Sequence, residues 1–325
     1  MEAVYAAQGG TRHALCVTGP NGKQTRASFL RLPDGRVLVE AAEAIGLTLL
    51  SREERRPWLT TSCGLGQLIL ASLVCRPSEV LIALGGSGTV DGGIGMLQTM
   101  GATAQDADGL PVPRGAHGLR QLHHFSLQQL KPLFRQRAFT VLADVDNPLL
   151  GPSGSVYTFA PQKGADADDL PLLEEAMRHF AEKVEKSCGA SFRHLKGAAA
   201  AGGIGFSLAA CGARLTSGAA WVIEACRLAE EVRKADLIVT GEGRLDEQSL
   251  HGKAPISLTR LAKSCQKPVI FIAGSIHLPK ERLAAEGIQS AHSLLKRGMS
   301  TDFAVKNAKT LLTHKVATIF SSLRR

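Results

Sequence analysis

Between residues 12 and 40 apolar and polar side chains alternate, and two turn signals interrupt them, Gly19-Pro20-Asn21-Gly22 and Pro33-Asp34-Gly35. Period-two alternation places every second side chain on one face of a strand, so this stretch predicts an antiparallel meander. After it the texture changes. A helix-like segment over 64–74 leads to an apolar strand over 80–84, a glycine-rich loop, and a helix through 96–100. A second buried strand is expected over 139–143. A long amphipathic helix over about 168–186 and a small-residue segment after Gly197 follow.

From Asp236 the pattern becomes regular: a strand over 237–240, a loop, a helix from Pro255, a strand over 269–272, a loop, a helix from Lys280, a short strand near Ser290 and a terminal helix from about Asp302. Pro255 suits the first turn of a helix, where its missing N–H costs nothing. Strands alternating with helices imply a parallel, doubly wound sheet. The expected fold class is therefore α/β, with a Rossmann-like parallel-sheet domain over 231–325 and a second α/β domain, carrying the meander and the glycine-rich loops, over 1–230. Three strands are few for an open sheet covered on both faces, so the Rossmann-like part reads as incomplete.

The chain has 325 residues, 44% of them hydrophobic and 21% charged, the balance of a globular protein able to bury a sizeable core. Its 34 glycines gather in short blocks with acidic or hydroxyl residues instead of repeating with a period. That distribution argues for ligand loops and against fibrous structure. A formal charge of +9 raises the question of nucleic acid. The basic residues are scattered, however, and two Tyr and two Trp offer few stacking platforms, so attraction of small anionic substrates is the better reading. Seven cysteines without a C-x-x-C pair indicate neither a disulfide framework nor a zinc site, and most are expected to be buried thiols in a reducing compartment. With no apolar leader region after Glu2, and with the uncharged run 197–213 short and rich in Gly and Ala, the chain is expected to be cytoplasmic, with no membrane partner.

Literal phosphate signatures fail. Gly252-Lys253 is followed by Ala254 and has Glu247 where a P-loop needs its first glycine. Gly86-x-Gly88 and Gly241-x-Gly243 both end the dinucleotide fingerprint in an aspartate, Asp91 and Asp246, where a third glycine belongs. The hydrolase elbow is approached at Gly85 but ends in Thr89. What remains is four blocks. Gly85, Gly86, Ser87, Gly88 and Thr89, with Asp91, follow a strand and open toward a helix, the arrangement in which backbone N–H groups and hydroxyls hold an anion. Asp144 and Asp146 stand at i and i+2 after a strand, as a Mg²⁺ or a polyol hydroxyl would require. Lys163, between Gln162 and Gly164, offers a point charge for phosphate. Gly241, Glu242, Gly243, Arg244 and Asp246, then Lys253, form a loop of mixed charge after a strand. Phosphoryl transfer asks for these ingredients together: donors and cations on the phosphates, carboxylates for Mg²⁺, and a carboxylate to take the acceptor's proton.

In this order the blocks resemble the bacterial glycerate kinase family, type I. The resemblance runs from EAVYAAQGG at Glu2 through VTGPNG at Val17, TTSCGLGQLI at Thr60, LGGSGTVDGGIGMLQTMGA at Leu84, ADVDNPLLGPSGSVYTFAPQKGA at Ala143 and GAAAAGGIGFSLAACGA at Gly197 to VTGEGRLDEQSLHGKAPI at Val239. The runs TGEGR-x-D-x-Q and DVDNPL-x-GP…PQKGA are the specific ones. The resemblance implies ATP- and Mg²⁺-dependent phosphorylation of D-glycerate to 2- or 3-phosphoglycerate. It implies nucleotide binding by Gly85 to Thr89, Gly202, Gly203, Glu242, Gly243 and Lys253, and metal binding by Asp144 and Asp146. Arg244 would hold the substrate carboxylate, Lys163 would meet the phosphates, and Asp246 or Asp91 would act as base. No nucleic-acid partner is implied, and the reading leaves room for a homodimer.

Two departures stand out. Members of the family begin several dozen residues earlier, with a first strand, an Asp-Ser-Phe-Lys motif and a glycine-rich acidic motif, and Val90 and Gly88 stand where Asn and Ala are common. Met1 is accordingly expected to be an internal start and the activity of this chain to be impaired. The alternative is a non-catalytic sugar-acid or nucleotide sensor derived from such a kinase.

Overall fold

The structure, a computed structural model, describes residues 1–250, 252–296 and 298–323. It divides into two compact units, Met1–Trp221 and Val222–Arg325.

The first unit is built on a six-stranded sheet. Strands β1 (Thr11–Thr18), β2 (Gln24–Arg31) and β3 (Val37–Glu40) form the expected meander, β1 pairing antiparallel with β2 from Thr11↔Arg31 to Thr18↔Gln24. Beyond β3 the sheet turns parallel, through β4 (Glu79–Ala83), then β7 (Ala138–Leu142) and β8 (Arg214–Thr216). A separate antiparallel pair, β5 (Thr103–Gln105) and β6 (His124–Ser126), lies between β4 and β7 in the chain. These short strands and β8 carry too few residues to show a period. Their pairing is decided by their neighbours.

Helices α1 (Cys63–Ser72), α2 (Ile94–Met100), α3 (Asp169–Cys188) and α4 (Ala200–Ala210) contribute to one continuous core with the sheet. In α3, Leu173, Ala176, Met177, Phe180, Ala181 and Val184 are buried. Their spacing of three and four residues is that of one helical face. Asp166 accepts hydrogen bonds from the backbone N–H groups of Asp168 and Asp169 at the start of α3, and Gly189, with φ of 71°, ends it. Phe180 meets Phe125 and Phe206 edge-on, with ring centroids 5.8 and 6.0 Å apart.

The second unit holds three parallel strands in the order β11 (Ser290–Ser293), β10 (Val269–Ile276), β9 (Ile238–Leu245). The helices α5 (Ala254–Ser264) and α6 (Ala308–Leu323) belong to it. Among the described residues β9 pairs with β10 alone, so its other edge is open. The structure corrects one expectation here. The stretch 241–245, expected as a loop, is strand: Gly241, Glu242, Arg244 and Leu245 pair with Ile272, Ala273, Ser275 and Ile276 of β10. A Cβ on Gly241 would sit 1.9 Å from the Ile272 carbonyl oxygen, so this glycine serves strand packing. The cysteines also differ from expectation. Only Cys63 is buried, Cys16 is exposed, and the others are half-buried.

Candidate active site

In the first unit β4, β7 and β8 run parallel and in step, Ala83 opposite Leu142 and Leu142 opposite Thr216. Their C-terminal ends therefore deliver successive loops to one edge of the sheet. Leu84 N–H still donates to the Leu142 carbonyl at 3.1 Å and Ala143 N–H to the Thr216 carbonyl at 3.0 Å. One residue later the chain leaves the ladder, into the glycine loop after β4 and into Asp144 after β7. Ligands of open parallel sheets bind at such an edge.

The glycine loop is held from three sides. Its first part forms a bridge to Gly46, with Leu47 N–H donating to the Gly86 carbonyl and Gly88 N–H to the Ile45 carbonyl, both at 2.8 Å. From below, Lys163, on the turn Pro161–Lys163, donates to Ser87 Oγ at 3.1 Å and to the Thr89 carbonyl at 2.8 Å. From the side, α4 is interrupted by left-handed residues at Ala201, Gly202 and Gly203, which let its backbone turn in against the loop. Gly92 N–H donates to the Gly202 carbonyl at 3.0 Å, and Ser207 Oγ donates to the Gly92 carbonyl. At Gly202, where φ is 71°, a Cβ would stand 2.1 Å from the Thr89 carbonyl oxygen. What the loop leaves exposed is Gly85 and Gly86; Ser87 and Thr89 are buried, and the Thr89 hydroxyl oxygen has no hydrogen-bond partner.

Asp91 is fully buried. Its Oδ2 accepts from the backbone N–H and the hydroxyl of Ser62, both at 2.8 Å, and from Gly95 N–H at 3.4 Å, while Oδ1 accepts from Gly93 N–H at 3.0 Å. Burial pushes its carboxyl above the ordinary range against the pull of these donors. Burial also lowers the Lys163 ammonium, to about 8, with the Asp91 charge opposing the fall.

Asp144 accepts at Oδ1 from Ser217 Oγ at 3.0 Å and from Ala219 N–H at 2.9 Å, tying the end of β7 to the start of the helix Gly218–Ala225. Its Oδ2 faces Gly218, where a Cβ would come within 3.1 Å. Asp146 pairs with exposed Lys196 at 3.4 Å. Asn147 donates to the Ser153 carbonyl at 2.7 Å and accepts from Ala199 N–H at 3.3 Å. Glu174 of α3 accepts from Gly151 N–H at 2.7 Å. The structure thus brings together at one sheet edge the glycine loop, the DVDNP block, Lys163 and the Gly202-Gly203 kink. Ser62, Glu174, Ser207 and Ser217 join them, residues that sequence reasoning did not single out. Ser62 and Ser207 lay inside runs with a signal, TTSCGLGQLI and GAAAAGGIGFSLAACGA.

The remaining residues lie in the second unit. Arg244 and Asp246 form an ion pair at 3.0 Å, and Asp246 also accepts from Ser249 N–H at 3.3 Å. Lys253 pairs with Glu242 Oε2 at 3.4 Å, and Glu242 Oε1 is buried without a partner. Glu242, Gly243 and Arg244 line a cleft of about 980 Å³, walled also by Val239, Ile272 and Leu312. Among the described residues no three His, Cys, Asp or Glu side chains cluster as a metal cage. The donor set still suits Mg²⁺, which takes one or two carboxylates when phosphates and water complete its shell, and the glycine opposite Asp144 Oδ2 leaves that oxygen room.

Residues 1–324 match the glycerate kinase family. The chain belongs to that family. It is 40% identical to the glycerate kinase of Bacillus subtilis (strain 168) over 310 residues, 95% of this chain and 81% of the relative. Over 311 residues it is 40% identical to the glycerate 2-kinase of Escherichia coli (strain K12), again 95% of this chain and 81% of the relative. The crystal structure of a putative glycerate kinase 2 from Salmonella typhimurium LT2 is similar to the whole of this chain with a TM-score of 0.75 and 34% identity, the match covering 86% of that chain. Part of each of these relatives has no counterpart in this chain. Among the described residues no helix is long and apolar enough to cross a membrane.

Proposed function

We propose that this protein transfers the γ-phosphoryl group of ATP to D-glycerate, giving 2-phosphoglycerate. The observation that carries the reading is the family match over residues 1–324, which includes every block of the candidate site; the product follows the name of the Escherichia coli relative. In the proposed reaction a glycerate hydroxyl oxygen bonds to the γ-phosphorus, the bond from that phosphorus to the β,γ-bridging oxygen breaks, and ADP leaves. The exposed backbone of Gly85 and Gly86, at the start of the Gly85 to Thr89 loop, takes the phosphates. Arg244, 66% exposed, holds the substrate carboxylate through its planar pair of donors, and Asp246 accepts the hydroxyl proton. Glu242, Gly243 and Lys253 belong to nucleotide binding. Bound with the triphosphate and held by Asp144 and Asp146, Mg²⁺ would neutralise charge on the transferring group.

Phosphorus NMR of D-glycerate incubated with ATP, Mg²⁺ and the protein tests this. The 2-phosphoglycerate resonance is expected. Appearance of 3-phosphoglycerate would correct the regiochemistry, and nucleotide binding without any phosphoglycerate would replace the kinase by the sensor.

A further inference from the structure

Lys163 was expected on the phosphates, but its side chain is sealed inside the first unit, 3% exposed. An ammonium group donates and never accepts. At 3.1 Å from Lys163 Nζ, the Ser87 oxygen must therefore use a lone pair on it, and the Ser87 proton must point elsewhere. Among the described residues no acceptor takes that proton. The Ser87 backbone is pinned by its bridge to Gly46, and the residues before it, Gly85 and Gly86, are the exposed part of the loop.

We propose that Lys163 is a positioning residue that fixes the Ser87 hydroxyl as a donor to the phosphates of ATP. The cation polarises the O–H bond in a low-dielectric setting and removes the rotamers in which the hydroxyl would satisfy itself internally. The second bond of Lys163, to the Thr89 carbonyl at 2.8 Å, holds the loop two residues further on. Asp91 supplies the opposing charge, and Arg55, against the Gln162 carbonyl at 3.5 Å, flanks the turn that carries Lys163. The inference rests on the phosphate-binding role proposed for this loop.

Titration calorimetry of ATP with the full chain tests it, using Ser87→Ala, Lys163→Gln and the double variant. Each single change should weaken ATP about tenfold or more, the worth of a hydrogen bond to a charged group. The double variant should lose little beyond either single one, because the two residues act through one hydroxyl. Losses that multiply, or a Ser87→Ala protein that binds ATP as the wild type does, would overturn it. Should Lys163→Gln not fold, Ser87→Ala decides alone, since it keeps the bond to Thr89. Turnover of D-glycerate is read separately: wild-type protein that binds ATP without forming phosphoglycerate defeats the kinase reading and leaves this one standing. Wild-type protein without affinity for ATP defeats both.

Discussion

Asp91 and Asp246 occupy equivalent places in two glycine-rich runs, and on sequence grounds either could be a base. Their surroundings separate them. Asp91 is buried under four donors from Ser62, Gly93 and Gly95, and Ser62 Oγ passes the link on by accepting from Met96 N–H at 2.9 Å. An amide in its place would set an NH₂ against one of those donors. Asp91→Asn should therefore lower stability by roughly 1–3 kcal/mol, read from the urea midpoint. Asp246→Asn, on a residue with 20% of its side chain exposed, should leave the midpoint in place and reduce turnover strongly. A normal rate in that variant would remove Asp246 as the base. Lys163 gives a pH signature. Its ammonium falls from 10.5 to about 8 on folding, so between these values the unfolded chain binds the additional proton. Stability then rises with pH across this window, and the cost of the buried charge, roughly 3 kcal/mol, is fully present below pH 8. Denaturation of wild type and Lys163→Met at pH 7.5 and pH 10 should show the wild type gaining relative to the variant; equal pH slopes would count against a buried charge.

At the scale of elements, local signals were sufficient where turn chemistry or period speaks loudly. The meander was legible because Pro20-Asn21-Gly22 and Pro33-Asp34-Gly35 fix its turns. The strand β4 and the helix α3 were legible from an apolar run and a helical face. The second half of β9, over 241–245, was not. Glycines beside charged residues look like a ligand loop in sequence, yet Gly241 is small because the β10 backbone passes against it. Gly241→Val should push the two strands apart and cost about 1–3 kcal/mol or more, the scale of overpacking, measured by chemical denaturation. An unchanged midpoint would mean that the strands are less closely apposed than described. The helix after Gly197 hid its kink for a related reason: Ala and Gly propensities say nothing about a left-handed turn imposed by contact with the glycine loop.

Across the whole molecule the two units differ in how they bury apolar surface. The first has one continuous core around its six-stranded sheet, whereas the second divides its apolar residues among smaller clusters and leaves one edge of β9 unpaired among the described residues. Amide protection follows local burial and pairing. Hydrogen exchange followed by mass spectrometry should therefore find peptides over 238–245 exchanging sooner than peptides over 79–83; the reverse order would show that the second unit is the more strongly protected. The sequence by itself determined the α/β class, the meander, most parallel strands, the four glycine and acidic blocks and the resemblance to glycerate kinases, because these follow from short-range periods, turn residues and motifs. Tertiary structure alone decided which of those residues are reachable. Asp91 meets Ser62 from 29 positions away and Lys163 meets Ser87 from 76, so their burial depends on partners that no local window contains. Desolvation then makes one aspartate a fastener for a loop, while its counterpart in the other glycine run keeps a carboxylate at the surface.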